Sequence, residues 1–372
     1  MEKKILIDIS FILKKYHTGV ANYAYRFLQY ILDHNLQDQC ILLVNIAEKD
    51  HFAKVYPKFE QHTIGKMWMY KLRVFMWFAF AYDFKKTVNR LNADVLFCPW
   101  ENPINALRVK KRKFTTIHDM QIRIDKDNFR KITVWMQKWV DNNSIRNSDK
   151  IITVSDFSRK QILSFYPNAS GKVVNFSNSV SLAHTENNLP MDIGSPYLLY
   201  VGRLDVMKNV ITLVKAFNLI KDKYTAYKLV LISSYWDYFE TEIKPYVKNN
   251  DMMDRIVCVH NCSDEELTRW YMGASLFVFP SLREGFGYPP IEASFLKIPV
   301  VSSKSDSLEE VTLGLLNYYE PADNHNELSK TIDKCLSFPK SEKELDEIKN
   351  IMYDHYSTDT FGKKLFDFLI AQ

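Results

Sequence analysis

The chain has 372 residues, a net charge of +5 and 47% apolar residues. This length is long for one hydrophobic core and suits two domains, which that apolar fraction can fill. The uncharged stretch 74–82 is far shorter than the roughly 20 residues of a membrane-spanning helix, which argues against an integral membrane protein. Five scattered cysteines and no signal peptide lead us to expect a reducing, cytoplasmic compartment rather than a disulfide framework.

The charges are unevenly distributed. Residues 1–185 carry 29 Lys/Arg against 16 Asp/Glu, a net +13, whereas residues 186–372 carry 20 against 28, a net −8. A basic half is compatible with nucleic acid, an anionic membrane surface or a phosphorylated substrate, and charge alone does not choose among them.

The first half alternates short apolar runs with helical patterns. Gly19 ends a loop that begins at Lys14, and a helical apolar pattern follows over 20–32. His118 and Asp119 come directly after a predicted strand, at the strand end where open α/β sheets bind ligands. Ser155 or Asp156 is predicted to cap the next helix. Strands are predicted over residues 4–9, 40–46, 94–98, 113–117 and 151–155.

Residues 66–90 mix eight aromatic side chains with six basic ones. Such a helix suits insertion into the interface of an anionic bilayer, and the basic cluster 110–113 would assist it. The alternative is a helix packed in the first domain with cationic ends, and the sequence leaves both interpretations open.

Residues 181–196 are polar and interrupted by proline and glycine, which indicates a linker. A strand over 197–201 then runs into Gly202-Arg203-Leu204-Asp205-Val206-Met207-Lys208-Asn209. Arg203 and Lys208, between strand end and helix start, are placed to hold a diphosphate. Further strands are predicted over 228–232, 255–259, 276–279 and 298–301, with helices between them and a last helix over 358–370.

Two candidate metal motifs are set aside. Cys258, His260 and Cys262 alternate but lack a fourth ligand at a usual spacing, so the two cysteines are predicted to be core residues. Asp125 and Asp127 lie in a polar loop without another candidate ligand nearby. No metal site is predicted.

The stretch 277–303, FVFPSLREGFGYPPIEASFLKIPVVSS, packs a strand, a glycine turn, a helix and another strand into 27 residues. Gly285 and Gly287 flank Phe286 in a turn where backbone N–H groups can approach a ligand, and Pro289 and Pro290 suit the first turn of a helix. The N-terminus of that helix favours phosphate.

Two carboxylates bracket this phosphate site. Glu284 lies in the loop and Glu292 about one turn into the helix. They would repel phosphate itself, and are better suited to accept hydrogen bonds from the hydroxyls of a sugar and a ribose. The pattern predicts a nucleotide-sugar site.

The pattern P-S-x-x-E-G-F-G-x-P-x-x-E-A followed by P-V-V resembles the signature of retaining glycosyltransferases of the GT-B fold, family 4. G-R-x-x-x-x-K-N at residues 202–209 and the His118-Asp119 pair match the same family. Lys297 departs from it, because glycine is usual there. The resemblance implies an α/β fold of two Rossmann-like domains with parallel sheets facing a central cleft. The expected bounds are 1–180 for the acceptor domain, 181–196 for the linker, 197–355 for the nucleotide-sugar domain and 356–372 for a helix crossing back.

The resemblance also implies roles for individual residues. The residues expected to act on the reacting sugar and its diphosphate, as catalytic residues, are Glu284, His118, Arg203 and Lys208. The residues expected to bind the nucleotide-sugar donor are Gly19, Gly202, Arg203, Lys208, Gly285, Phe286, Gly287 and Glu292. No cofactor or metal is expected beyond the nucleotide-sugar itself.

The implied reaction is retaining transfer of a hexose to a glycan or a polyprenyl-diphosphate-linked glycan of a bacterial O-antigen or capsule. GDP-mannose is the favoured donor and a UDP-hexose the alternative. The expected location is the cytoplasm, with peripheral binding at the inner face of the membrane as a further expectation. A GT-B epimerase or phosphorylase is disfavoured by the motifs and by length. A nucleic-acid binder is disfavoured because its motifs are missing.

Overall fold

The computed structural model describes residues 3–13, 19–65, 76–182 and 189–371. The chain divides into two compact units, one formed by residues 1–179 with 358–372 and the other by residues 180–357. Each unit has one parallel sheet, with helices between most successive strands, which confirms the predicted fold class of two parallel-sheet α/β domains. Within the described ranges, no helix is long and apolar enough to cross a bilayer.

The sheet of the first unit has the order β3-β2-β1-β4-β5-β6-β7, with every neighbouring pair parallel. The order reverses between β1 and β4, so the ends of these two strands form the crevice where such sheets bind ligands. The seven strands are β1 (Ile5–Asp8), β2 (Cys40–Asn45), β3 (Glu60–Ile64), β4 (Val95–Cys98), β5 (Arg112–Thr116), β6 (Lys150–Thr153) and β7 (Val173–Asn175).

Helices flank this sheet, and Ser155 is the N-cap of one of them, as predicted: its side chain accepts a hydrogen bond from Ser158 N. The helices before the linker are α1 (Gly19–Asp33), α2 (Lys49–Val55), α3 (Met76–Arg90), α4 (Gln121–Ile124), α5 (Lys131–Asn147) and α6 (Asp156–Phe165).

The aromatic-basic segment 66–90 is described only from Met76 onward. In that part, α3 buries Phe84 and Val88 in a core cluster with β1, β2 and β4, and Phe80 is buried as well. The packed-helix interpretation therefore holds for the described part of α3. The aromatic and basic residues before it, Lys66, Trp68, Tyr70, Lys71, Arg73 and Phe75, lie outside the described residues.

The basic cluster 110–113 is only partly the surface patch that the sequence suggested, because Lys110 and Arg112 are exposed whereas Lys113 is buried. Lys113 is 1% exposed, and its ammonium donates hydrogen bonds to Asn105 O at 2.8 Å and Leu107 O at 3.1 Å. Lys111 donates to Ala93 O at 2.7 Å. Lys113 begins the buried part of β5, so its long stem fills the core while carbonyl groups satisfy its charge.

The sheet of the second unit has the order β10-β9-β8-β11-β12-β13, again with all pairs parallel. Its order reverses between β8 and β11. The strands are β8 (Tyr197–Val201), β9 (Lys228–Ser233), β10 (Ile256–His260), β11 (Leu276–Phe279), β12 (Val300–Ser303) and β13 (Asn317–Tyr319). The helices are α7 (Val210–Ile220), α8 (Lys244–Asn249), α9 (Asp264–Gly273), α10 (Tyr288–Phe295), α11 (Leu308–Val311), α12 (His325–Ser337) and α13 (Glu342–Tyr356).

Strand β12 begins two residues later than predicted. Lys297 adopts the left-handed conformation with φ of 60°, and Pro299 lacks the N–H that a ladder needs, so regular pairing starts at Val300. The position therefore keeps the backbone that glycine adopts most easily. The lysine side chain forms an ion pair with Asp346 on α13 at 2.7 Å.

The last helix, α14 (Thr358–Ala371), belongs to the first unit. It packs on α1, where Phe361 contacts Tyr23 edge to face at a ring distance of 5.0 Å. Phe368 contacts Phe114 and Phe176 at 5.6 and 4.7 Å. In the resembled family the valines of β7 are usually followed by asparagine and then glycine, and here Phe176 follows Asn175 instead of glycine. The Phe176 ring packs against the terminal helix.

Candidate functional site

The loop between β8 and α7 carries Arg203 and Lys208 and is shaped by a residue between them. Asp205 Oδ1 accepts a hydrogen bond from Lys208 N at 2.9 Å, and its Oδ2 lies 3.5 Å from Arg203 Nη2. The Arg203 side chain is 60% exposed. Gly202 opens the loop and donates its N–H to Ile232 O at 3.1 Å. The loop is therefore a fixed turn that holds the Arg203 guanidinium at the surface and the Lys208 ammonium in a mostly buried position.

Lys208 and Glu284 form the central contact of the site. The distance from Lys208 Nζ to Glu284 Oε1 is 2.6 Å, and the side chains are only 17% and 12% exposed. The two residues are 76 positions apart in the chain. They follow β8 and β11, the strands on either side of the reversal in the second sheet, so the ion pair lies where open α/β sheets bind ligands.

Backbone and amide hydrogen bonds hold these two loops together. Asn209, in the left-handed conformation with φ of 55°, donates through Nδ2 to Pro280 O at 3.0 Å and Ala322 O at 2.8 Å. Leu282 N donates to Met207 O at 2.8 Å. The separation of Lys208 and Glu284 is thus fixed by the backbone on both sides.

The glycine turn forms as the sequence predicted. Gly287 has φ of 91°, and a Cβ there would lie 2.6 Å from Leu308 Cδ2, so only glycine fits. Helix α10 begins immediately after it, with proline in its first turn. Ser307 Oγ donates to Glu284 O at 2.8 Å and so fixes the backbone on which the carboxylate stands.

Phe286 and Glu292 make contacts that the sequence did not reveal. The Phe286 ring is buried against Tyr288 and Tyr356, so only its backbone is available to a ligand at this turn. Glu292 Oε2 accepts a hydrogen bond from the buried Tyr271 hydroxyl at 3.0 Å. Burial, followed by the nearby Glu292 charge, raises the pKa of Tyr271, which therefore remains a donor that orients this carboxylate.

His118 lies in the first unit, directly after β5. Its Nε2 is 2.9 Å from Pro99 O, and its ring meets Tyr23 edge to face at 5.1 Å. Burial lowers the pKa of His118, so the ring is neutral at pH 7. Because a carbonyl oxygen only accepts, Nε2 carries the proton and Nδ1 has the acceptor lone pair.

A buried carboxyl of the first unit had no part in the sequence-based site. Glu101 follows β4 and is 5% exposed, and among the described residues its Oε2 has no hydrogen-bond partner. Its Oε1 accepts from Gln137 at 3.3 Å, and the same amide donates to Asp141 at 2.8 Å. Burial and the Asp141 charge raise the pKa of Glu101 well above its ordinary value. The strand-end rule that selected His118 would also have selected Glu101.

Gly19 and His118 lie in the first unit, and every other predicted site residue lies in the second. Gly19 is exposed and is the first residue of α1. No group of three or more His, Cys, Asp or Glu is arranged to hold a metal ion within the residues that the structure describes. His260 is exposed and packs on Trp236 at a ring distance of 4.1 Å. Cys258 and Cys262 are half-buried rather than in the core as predicted, and all five cysteines are unpaired.

Two parallel-sheet α/β units of this topology define a protein of the GT-B fold class. Solved structures support the fold. Sucrose-phosphate synthase from Thermosynechococcus elongatus superposes with a TM-score of 0.76 at 15% identity, over 98% of both chains. HepE from Anabaena, in complex with UDP and glucose, superposes with a TM-score of 0.74 at 14% identity, over 100% of both chains.

Sequence comparison places the chain within this class. Residues 17–184 match the family model described as Glycosyltransferase Family 4, and residues 185–351 match Glycosyl transferases group 1. The chain therefore belongs to the family 4, or group 1, glycosyltransferases.

Two curated relatives are O-antigen enzymes. The O-antigen chain mannosyltransferase RfbU of Salmonella typhimurium is 25% identical over 84% of this chain and 85% of that protein. The O-antigen chain mannosyltransferase B of Escherichia coli is 28% identical over 54% of this chain, an alignment that spans 55% of that protein.

Proposed function

We propose that this glycosyltransferase moves a hexose from a nucleotide-diphosphate sugar to a glycan acceptor, with retention at the anomeric carbon, in the assembly of a surface polysaccharide. Mannose carried on GDP is the favoured donor sugar, because both O-antigen relatives are described as mannosyltransferases. A UDP-hexose is the alternative, because the structural neighbour HepE holds UDP and glucose.

The Lys208–Glu284 pair is the observation that carries this proposal. As the bond between sugar and diphosphate breaks, negative charge grows on the leaving oxygen. Lys208, Arg203 and the N-terminus of α10 supply positive charge in fixed positions, so little reorganisation is needed when that charge appears. Glu284 supplies the acceptor oxygens that a sugar hydroxyl needs, within 2.6 Å of the lysine.

The acceptor proton needs a base on the same face as the departing group when configuration is retained. The leaving diphosphate is the proposed base, since Lys208 and Arg203 hold it beside the reacting carbon. His118 is proposed to accept a hydrogen bond from the donor sugar through Nδ1, the nitrogen that the contact with Pro99 leaves as acceptor.

The acceptor is proposed to be a glycan, free or carried on a polyprenyl diphosphate, and bound by the first unit. A polyprenyl carrier would place the enzyme at the cytoplasmic face of a membrane. The basic balance of residues 1–185 supports this placement, because anionic headgroups attract such a surface.

A donor panel tests the proposal. Purified full-length chain is incubated with GDP-mannose, UDP-glucose and UDP-N-acetylglucosamine, and release of the nucleoside diphosphate is followed with and without short oligosaccharide acceptors. We expect one donor to be consumed, and the anomeric configuration of the product, read by NMR, to equal that of the donor. Inversion would refute the retaining mechanism. Interconversion of free sugar nucleotides without transfer would instead indicate an epimerase.

A further inference from the structure

Helix α5 exposes a stripe of large apolar side chains. Ile132, Trp135, Met136 and Trp139 are 60%, 63%, 40% and 39% exposed. Their spacing of i, i+3, i+4 and i+7 places them on one face of the helix, and the outer two are about 10 Å apart along its axis. An exposed aromatic stripe of this kind marks an interaction surface.

The stripe is not a misplaced core face, because α5 already buries its opposite side. Val140, Asp141, Ser144 and Ile145 are all buried. Asp141 is held there by Arg123 at 3.1 Å and by Gln137 at 2.8 Å. The ion pair with Arg123, which lies outside α5, fixes this face of the helix inward and leaves both indoles facing solvent.

Basic side chains border the stripe. Lys131 and Lys138, seven residues apart and both exposed, lie together along one flank. Arg130 and Lys126, exposed just before the helix, add two cations near its start, and Asp127 is the exposed acidic side chain among them. The surface around the indoles is therefore cationic.

We propose that this face of α5 docks on the surface of an anionic phospholipid bilayer. Tryptophan prefers the level of the headgroups, where its ring meets acyl chains and its N–H meets water, and lysine beside it binds lipid phosphate. A single helix face about 10 Å long is small for a stable protein partner, which typically covers about 800 Å² on each side. Shallow insertion needs no more than this stripe.

Only the purpose of this docking surface depends on the proposed function, because the surface would bring the enzyme to a lipid-carried acceptor. The sequence suggested a membrane contact for residues 66–90; in the described part of that segment Phe80, Phe84 and Val88 are buried, so the stripe on α5 is a separate surface. The four exposed apolar residues and their basic flank stand independently of the identity of the donor sugar.

Vesicle flotation of the full-length chain tests the proposal. We expect the protein to float with vesicles of phosphatidylglycerol and phosphatidylcholine at low salt, to float much less at 0.5 M salt, and to stay below pure phosphatidylcholine vesicles. Trp135→Ser/Trp139→Ser should weaken binding on the order of tenfold or more, because two interfacial rings are lost. Lys131→Glu/Lys138→Glu should weaken it at least about twentyfold, since each cation contributes about fivefold.

Matched controls come from the second unit. Phe338→Ser/Met253→Ser removes two exposed apolar side chains, and Lys330→Glu/Lys343→Glu reverses two exposed charges. Both should bind vesicles as the wild type does. Every variant should keep its thermal unfolding midpoint and its transfer rate to a water-soluble acceptor, so that a loss of binding is not a loss of folding.

Fluorescence localises the contact. Lipids brominated near the headgroup should quench the wild type more than Trp135→Phe/Trp139→Phe, although five of the seven tryptophans remain. The proposal is overturned if the wild-type protein does not bind anionic vesicles at low salt. So does a concentration-dependent dimer that Trp135→Ser/Trp139→Ser disperses, which would make the face a contact between copies. Vesicle binding without any sugar transfer would leave this surface intact and refute the proposed function instead.

Discussion

At the scale of single residues, Lys208 and Glu284 share one ion pair, so each depends on the other. We predict that Lys208→Ala and Glu284→Ala each reduce kcat/KM for transfer on the order of 10²-fold or more. Each change removes a charged contact to the donor and leaves its partner, at most 17% exposed, without its counter-charge. Steady-state release of the nucleoside diphosphate measures the effect.

The matched control is Lys330→Ala, which breaks a surface pair of nearly the same length, 2.7 Å to Glu327, in the same unit. Its activity should remain within about twofold of wild type, because exposed pairs contribute little. Circular dichroism and thermal unfolding verify that all three variants are folded. Near wild-type turnover in both site variants would remove the assignment of this pair to the site.

The protonation of His118 predicts a pH dependence. Burial lowers its pKa from the ordinary value of 6.5, so the native state favours the neutral ring and the acceptor lone pair on Nδ1 persists into mildly acid solution. As pH falls through the lowered pKa, the ring gains a proton and that lone pair is lost. The acid limb of kcat/KM should therefore lie below pH 6.5.

His118→Asn should remove that limb, because asparagine does not titrate. The comparison uses the pH profile rather than the rate at one pH, since a merely structural role for the histidine would lower the rate without reshaping the profile. An acid limb that is unchanged in His118→Asn would assign it to another group.

The sequence predicted individual site residues better than it predicted their mutual arrangement. Motif spacing selected Lys208 and Glu284 separately, but nothing in the chain announced a contact across 76 positions. Asp205 and Asn209 were given no role from the sequence because they act on backbone groups, which no side-chain pattern records. Glu101 escaped because a lone glutamate in a loop is ordinarily solvated, and only the fold shows it to be buried.

At the scale of elements, α14 depends on close approach to α1. A Cβ on Gly362 would lie 2.0 Å from Tyr30 Cγ, so the two helices meet closely at this position. We predict that Gly362→Ala lowers the free energy of unfolding by about 1–3 kcal/mol, the usual cost of overpacking a buried contact. Amides of α14 should also exchange with deuterium faster than in the wild type.

Lys364→Ala on the same helix is the control, because Lys364 is exposed and alanine favours a helix. Its stability should change by less than about 0.5 kcal/mol. If Gly362→Ala were as stable as Lys364→Ala, the contact between α1 and α14 would not contribute to the stability of the first unit.

Helix α5 shows why apolar periodicity alone misleads at this scale. Its apolar residues at i, i+3, i+4 and i+7 would ordinarily be assigned to the core. Here the stripe faces solvent, while Asp141 and Ser144 are buried on the other side. The arrangement follows from the ion pair of Asp141 with Arg123, which lies outside α5 and is therefore not visible in the helix sequence.

At the scale of the whole molecule, the alternation of strands and helices determined the two parallel sheets. Buried strands such as β8 and β11 are continuous apolar runs, so their bounds were predicted to the residue. Three strands at the sheet edges, β3, β7 and β13, were missed because they are short or polar and only partly buried. The family resemblance then followed from two motifs in one chain, G-R-x-x-x-x-K-N at residues 202–209 and E-G-F-G at residues 284–287.

The last prediction concerns the source of positive charge during transfer. A departing diphosphate must be stabilised by cations, and this chain supplies Arg203, Lys208 and the N-terminal end of α10 beside Glu284. Transfer should therefore proceed at within about twofold of its normal rate after dialysis against EDTA, with EDTA kept in the assay. The matched variant is Lys208→Ala, assayed with and without manganese. If the lysine takes the place of a metal cation, added manganese should restore a fraction of the lost activity, because it neutralises the same phosphate. A wild-type enzyme that loses more than tenfold of its activity in EDTA and regains it with manganese would show that these protein charges do not suffice.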